Sequence, residues 1–146
     1  MLIALGFEKY QQIPPIQCSK HKLVNDFTRR IRSSFGDKCD TNETSGWTRF
    51  IDQAGTIIVD YVPEQNLRYC GTSGSPGWFY GVYPTQLYST TLGTICYPSS
   101  RTGAPCERFS NQSISVTHCG GYFVFDVPIA PECPLRVCTI DRPMPS

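Results

Sequence analysis

The sequence predicts a small disulfide-rich, mainly β fold, with short antiparallel strands, long loops and at most one or two short helices. Three observations predict it. Eight cysteines stand among 146 residues, at Cys18, Cys39, Cys70, Cys96, Cys106, Cys119, Cys133 and Cys138, an even number at irregular spacing. Twelve glycines and twelve prolines are scattered through the chain, where they punctuate turns and do not form a linker. Between them lie short runs rich in β-branched and aromatic residues.

Taken in order, residues 1–17 form an N-terminal extension or linker of unknown role. Its apolar start (Leu2, Ile3, Ala4, Leu5) is broken by Glu8 and Lys9, without the basic leader or cleavage site of a signal peptide. Residues 21–34 place Leu23, Val24, Phe27 and Ile31 at helical spacing, which allows one short helix. Strands are expected at 47–51, 56–62, 93–97, 114–118 and 122–127. The three successive apolar residues Ile57, Ile58 and Val59 suggest that both faces are covered there. The almost continuous apolar run from Tyr122 to Val127 is the best candidate for the middle of the sheet. Residues 73–77 and 98–105 are loops, and residues 142–146 are a C-terminal tail.

Cysteine usage indicates the compartment. No pair has the close spacing of a zinc knuckle or a dithiol redox site, and disulfides persist outside the cell. The chain is therefore expected to be extracellular, secreted or at the cell surface, with all eight cysteines in four bridges. Because it lacks a convincing signal peptide, we expect a fragment or mature module of a longer protein. Charged residues make up only 17% and the net charge is +1, which argues against nucleic-acid partners. No stretch approaches the roughly 18–20 apolar residues of a membrane span, so no membrane insertion is expected. The basic cluster Arg29, Arg30 and Arg32 reads as a solvated face.

Chemistry finds little to work with. His21 and His118, with Lys20 or Lys22, could be cast as the base, acid and phosphate-binding lysine of a small secreted ribonuclease. The Cys-Lys-x-x-Asn-Thr-Phe segment of that enzyme family is absent, and His118 falls in a strand. No nucleophile elbow or carboxylate dyad stands out. Asp37, Asp40, Asn42 and Glu43 group oxygen ligands without the order of an EF-hand loop, and read as a solvated turn. We expect no enzyme activity, no metal and no cofactor.

Five blocks in order carry a resemblance. They are Cys39-Asp40-Thr41 with Gly46-Trp47-Thr48-Arg49-Phe50 and Gly55; Arg68-Tyr69-Cys70-Gly71-Thr72; Pro76-Gly77-Trp78-Phe79-Tyr80-Gly81-Val82-Tyr83-Pro84; Cys119-Gly120-Gly121-Tyr122-Phe123-Val124-Phe125; and Pro131-Glu132-Cys133-Pro134-Leu135-Arg136-Val137-Cys138-Thr139. Together they resemble the eight-cysteine (in its longer version ten-cysteine) extracellular domain of uromodulin and the pancreatic zymogen-granule membrane glycoprotein. The resemblance runs over 18–141, which we take as the domain.

It implies the pairing of Cys18 with Cys119, Cys39 with Cys133, Cys70 with Cys138 and Cys96 with Cys106. Spacing alone leaves about 105 pairings open. The two extra cysteines of the longer version, near Tyr61 or Val62 and in a doublet at Cys106-Glu107, are both absent. The glycan site that bacterial adhesins recognise in such modules, within Trp-x-Asn-Gly, is replaced by Tyr80 in Trp78-Phe79-Tyr80-Gly81. The function implied is a non-catalytic module of a larger glycoprotein, serving structural, adhesion or glycan-presenting roles. Its partners would be other extracellular proteins or glycans and the neighbouring domains of the parent chain.

The residues themselves support the same reading. Trp47, Phe50, Trp78 and Tyr122 are the expected core anchors. Gly120 and Gly121 suggest a bulge or close backbone approach beside Cys119. Asn42-Glu43-Thr44 and Asn111-Gln112-Ser113 are N-glycosylation sequons. In the aromatic segment Trp78–Tyr83, Trp78 and Phe79 are expected beneath the loop, and Tyr80 and Tyr83 exposed as contacts for a protein partner, or for a sugar in a carbohydrate-binding alternative.

Overall fold

The computed structural model describes residues 13–33, 36, 38–63, 70–72, 75–99, 102, 104–106 and 108–143, with side chains described from 112 onward in the last stretch. Among them are eight strands: β1 Lys22–Val24, β2 Gly46–Phe50, β3 Ile57–Ile58, β4 Trp78–Tyr80, β5 Thr90–Tyr97, β6 Arg108–His118, β7 Phe123–Val127 and β8 Thr139–Ile140. Six form one sheet in the order β1-β2-β7-β6-β5-β4, antiparallel except for the β1–β2 pair, and β3 pairs with β8 in a second, two-stranded sheet. The mainly β, disulfide-rich fold class is as the sequence predicts.

Alternation on the pleat explains the packing. Register pairs Thr48 with Phe125 and Phe125 with Val116, so Phe50, Phe125, Val127, Val116 and Ile114 share one face. That face packs with Phe79, Ile95, Tyr97, Ile57, Ile58, Leu135 and Val137 in the main core. Ile57, Ile58 and Val59 are at most 1% exposed, covered on both sides. β7 lies inside the sheet, between β2 and β6, as its unbroken apolar run requires. On the opposite face Val124 is buried beneath the Cys18–Cys119 bridge, with Trp47 and Tyr122 packed at its edge.

The helix expected over 21–34 is not formed. Lys22–Val24 instead pairs with the edge of β2, and only a single 3-10 turn, Phe27–Arg29, follows it. Asp26 starts that turn by accepting hydrogen bonds from the Thr28 N–H at 2.9 Å and the Thr28 hydroxyl at 2.6 Å. The helical spacing misled because Leu23 and Phe27 are 61% and 48% exposed, and the residue drawn inside is Arg29. Two strands escaped the pattern, β4 and β8. Both are too short for alternation to register, and β4 is bounded by glycines that read as a loop.

Two glycine positions are set by geometry. Gly120 and Gly121 have φ of +85° and +80°, so they serve the turn between β6 and β7 and not the bulge or close approach expected. At Gly93 a β-carbon would overlap Cε1 of Phe79 and stand 3.0 Å from the Tyr80 carbonyl oxygen. Phe79 can cross to β5 only over a residue without a side chain.

The core also sets an alkaline limit. Tyr97 is fully buried and donates to Gln112 Oε1 at 2.9 Å, and Tyr83 donates to the Ile58 carbonyl at 2.9 Å. Burial foremost, with the nearby carboxylates of Asp60 and Asp40, pushes both phenols far above the ordinary tyrosine value. In the unfolded chain they ionise near pH 10. Their contribution is therefore complete below that pH and is lost as pH rises through it toward the folded values. We expect denaturant midpoints to fall between about pH 9 and about pH 11, with up to about 1.4 kcal/mol per pH unit from each tyrosine. Phenylalanine at both positions should flatten that slope.

Candidate functional site

The structure pairs Cys18 with Cys119, Cys39 with Cys133, Cys70 with Cys138 and Cys96 with Cys106, across sequence separations of 101, 94, 68 and 10 residues. Three of these bridges tie the N-terminal half to the final third of the chain. Cys70, Cys138 and Cys96 are buried with Trp78 in a second core cluster, against which Cys106 packs. Only Cys133 of the eight is exposed, and its partner Cys39 is half-buried.

Charge sits inside, where the sequence placed it on the surface. Arg29, read as part of a solvated face, is 2% exposed and Asp40, read as part of a solvated turn, is 1% exposed. Arg29 donates to both Asp40 oxygens, at 2.7 Å and 3.2 Å, and to the Val137 carbonyl at 2.9 Å. Asp40 also accepts the Val137 N–H at 2.8 Å. Arg136, 3% exposed, donates to the Thr28 hydroxyl at 3.1 Å and lies 3.4 Å from Asp26. Burial by itself would raise the Asp26 carboxyl, but hydrogen bonds from Thr28 and Lys38 and the Arg136 charge outweigh it and hold it below the usual range. These residues were missed as a set. The available signal was a charge placed next to a cysteine, Asp40 after Cys39 and Arg136 two before Cys138, in a chain with few charges.

The histidines have separate local duties. His21 Nδ1 lies 2.8 Å from the Gln17 carbonyl, with its ring 5.9 Å from Tyr122. His118 is buried in β6, where Nδ1 accepts the Gly120 N–H at 3.1 Å and the ring meets Phe123 edge-on. Lys22 spends its ammonium on the Glu43 and Ser45 carbonyls, and Lys20 is exposed. Among the described residues, no three His, Cys, Asp or Glu side chains converge as a metal set; Asp37 lies outside them.

The aromatic segment divides differently from expectation. Trp78 and Phe79 are buried, and the Trp78 indole donates to the Pro105 carbonyl at 2.8 Å. Tyr80 is 66% exposed. Tyr83, expected beside it as a contact residue, is a core residue. Its ring stacks on Phe123 at 5.0 Å and packs on Phe79 at 4.8 Å, because Pro84 and the Ile58 carbonyl draw it under the loop. Of the expected anchors, Phe50 is 3% exposed, whereas Trp47 and Tyr122 are half-buried, the latter under Arg49 at 3.8 Å from its ring centre. Tyr80→Ala should leave stability within about 0.5 kcal/mol. Tyr83→Ala should cost about 3 kcal/mol, read from denaturant midpoints.

Asn42 is exposed on the Thr41–Thr44 turn, closed by the Thr44 N–H on the Thr41 carbonyl at 3.1 Å. An open cleft of about 500 Å³ adjoins it, lined by Asn42, Glu43, Ile129, Ala130 and the Cys39–Cys133 bridge. The Asn111 side chain, Arg68, Tyr69, Glu107, residues 1–12 and residues 144–146 lie outside what the structure describes.

With this geometry in place, comparison with known proteins decides the family. A family model for the uromodulin-like eight-cysteine domain matches residues 48–139. The chain belongs to the uromodulin-like domain family. This uromodulin-like chain is 30% identical over 124 residues to uromodulin of Mus musculus, covering 84% of this chain and 18% of that protein. It is 31% identical over 127 residues to the pancreatic secretory granule membrane major glycoprotein GP2 of Homo sapiens, covering 86% of this chain and 22% of that protein. The uromodulin-like chain thus spans about a fifth of the length of these relatives. Both are extracellular or cell-surface glycoproteins, and the chain is an extracellular module of that kind. Among the described residues, no helix is long and apolar enough to cross a membrane.

Proposed function

We propose that residues 18–141 are a non-catalytic module of a larger glycoprotein, which braces neighbouring domains and presents a glycan at Asn42 and an aromatic contact at Tyr80 to extracellular partners. One observation carries this reading: the polar side chains that chemistry would require are engaged in holding the fold. Arg29, Asp40, Arg136 and Asp26 knit the 3-10 turn to the final strand region, and His118 holds the β6–β7 turn. What remains outward is a sequon on a turn and an exposed tyrosine ring at the sheet edge. The packed unit runs slightly past 141, because the Arg142 N–H donates to the Thr56 hydroxyl at 2.9 Å and its guanidinium pairs with Asp60.

The test is direct. The oxidised chain, secreted from eukaryotic cells, is assayed on RNA, ester and glycoside substrates beside a His21→Ala/His118→Ala variant. Background turnover from both is the expected result. Turnover that disappears in the variant would sink the non-catalytic reading.

A further inference from the structure

The cleft beside Asn42 has an occupant already specified by the sequence. Its wall carries the acceptor asparagine of a sequon, exposed and lining an open space of about 500 Å³. Another part of the lining is Ile129, 50% exposed, an apolar surface left uncovered on a loop. The Cys39–Cys133 bridge, the one disulfide with an exposed member, completes it. Sugar rings have apolar faces and a polar rim. A pair of them fits a cleft with an aliphatic wall at Ile129 and Ala130 and acceptors at Glu43 and the Thr41–Thr44 turn.

We propose that the first sugars of an N-linked glycan on Asn42 seat in this cleft against Ile129 and cover the Cys39–Cys133 bridge, shielding it from attack by external thiols. The inference rests on glycosylation of Asn42 in the reading above. Thiol–disulfide exchange needs a thiolate to reach a sulfur, so access governs the rate at a bridge that is otherwise open. Asn42 and Cys39 are only three residues apart in the chain, so the glycan is tethered where it must act. The bridge closes a separation of 94 residues, and its loss outside the cell would release a large part of the fold.

The test uses the full chain secreted from eukaryotic cells, with the glycan intact, trimmed to its first sugar, or removed enzymatically. Each form is exposed to dilute dithiothreitol, and alkylation of Cys39 and Cys133 is followed by peptide mass spectrometry against Cys96 and Cys106 in the same sample. Covering the exposed half of an isoleucine corresponds to about a fivefold shift in a local equilibrium. We expect reduction of Cys39–Cys133 to be slower by at least that factor with the glycan than without it. Ile129→Ala, still glycosylated, should lose most of the protection, and Asn111→Gln should leave it unchanged. Full occupancy of Asn42 with equal reduction rates overturns the shielding while leaving glycan presentation intact. An unoccupied Asn42 overturns both.

Discussion

Asp40→Asn is expected to unfold most of the protein at physiological temperature. The substitution keeps the shape of the side chain and removes its charge, leaving the Arg29 guanidinium buried at 2% exposure beside Phe50, with its ring centre 5.6 Å away. The attraction in such a pair is largely offset by the cost of desolvating both ions, so the pair as a unit contributes little. Breaking it is different, because one charge stays in the core without compensation. That costs about 3–5 kcal/mol, a large share of the roughly 5–15 kcal/mol by which domains are stable. Asparagine could still accept the Val137 N–H that Asp40 Oδ2 accepts at 2.8 Å, so the loss measured is that of the charge. The double variant Arg29→Met/Asp40→Leu should recover much of the stability, and a double-mutant cycle by urea denaturation reads the coupling.

Cys18→Ser/Cys119→Ser should be comparably severe. This bridge joins residues separated by 101 positions, and in the chain-entropy account a loop of that length loses about 4.7 kcal/mol of unfolded-state entropy when closed. The bridge also covers Val124 in the centre of β7 and carries the turn whose Gln17 side chain donates to the Thr117 hydroxyl at 3.1 Å. Its removal uncovers the outer face of the sheet at the strand with neighbours on both sides. The secreted yield of the double variant should collapse, and any folded fraction should melt well below the parent. By contrast, Cys96→Ser/Cys106→Ser opens a separation of only 10 residues, and its cost should be smaller for the same reason.

The chain disclosed its architecture more fully than its electrostatics. The strands with five or more residues of clear β character, β2, β5, β6 and β7, are visible because burial on a pleated sheet demands apolar alternation or an apolar run. β3 was legible from Ile57-Ile58-Val59 for the same reason. β1 was not, because Leu23 and Phe27 point outward and their helical spacing carries no burial. The Arg29–Asp40 pair was invisible to pattern reasoning. Polar residues are assigned outward by default, and only a partner brought from another part of the chain makes a buried charge tolerable. Tyr83 shows the same limit on a smaller scale. A tyrosine near glycine and proline reads as exposed, and its hydroxyl goes inward here because the Ile58 carbonyl, 25 residues earlier, is there to accept it.

Division of labour follows from these placements. Bridges and buried ion pairs fasten the final strand region to the start of the chain, so the sheet needs no extended helical layer to hold it. The surface is then left to features that can vary without unfolding the module: the Asn42 turn, the Tyr80 ring and the cleft between Ile129 and the Cys39–Cys133 bridge.

The most direct test is a non-reducing peptide map of the chain secreted from eukaryotic cells. The fold described here predicts four bridges, Cys18–Cys119, Cys39–Cys133, Cys70–Cys138 and Cys96–Cys106, and no alkylable thiol before reduction. Free cysteines, or Cys39 joined to any residue but Cys133, would contradict it, because no other pairing closes the sheet over Arg29 and Asp40.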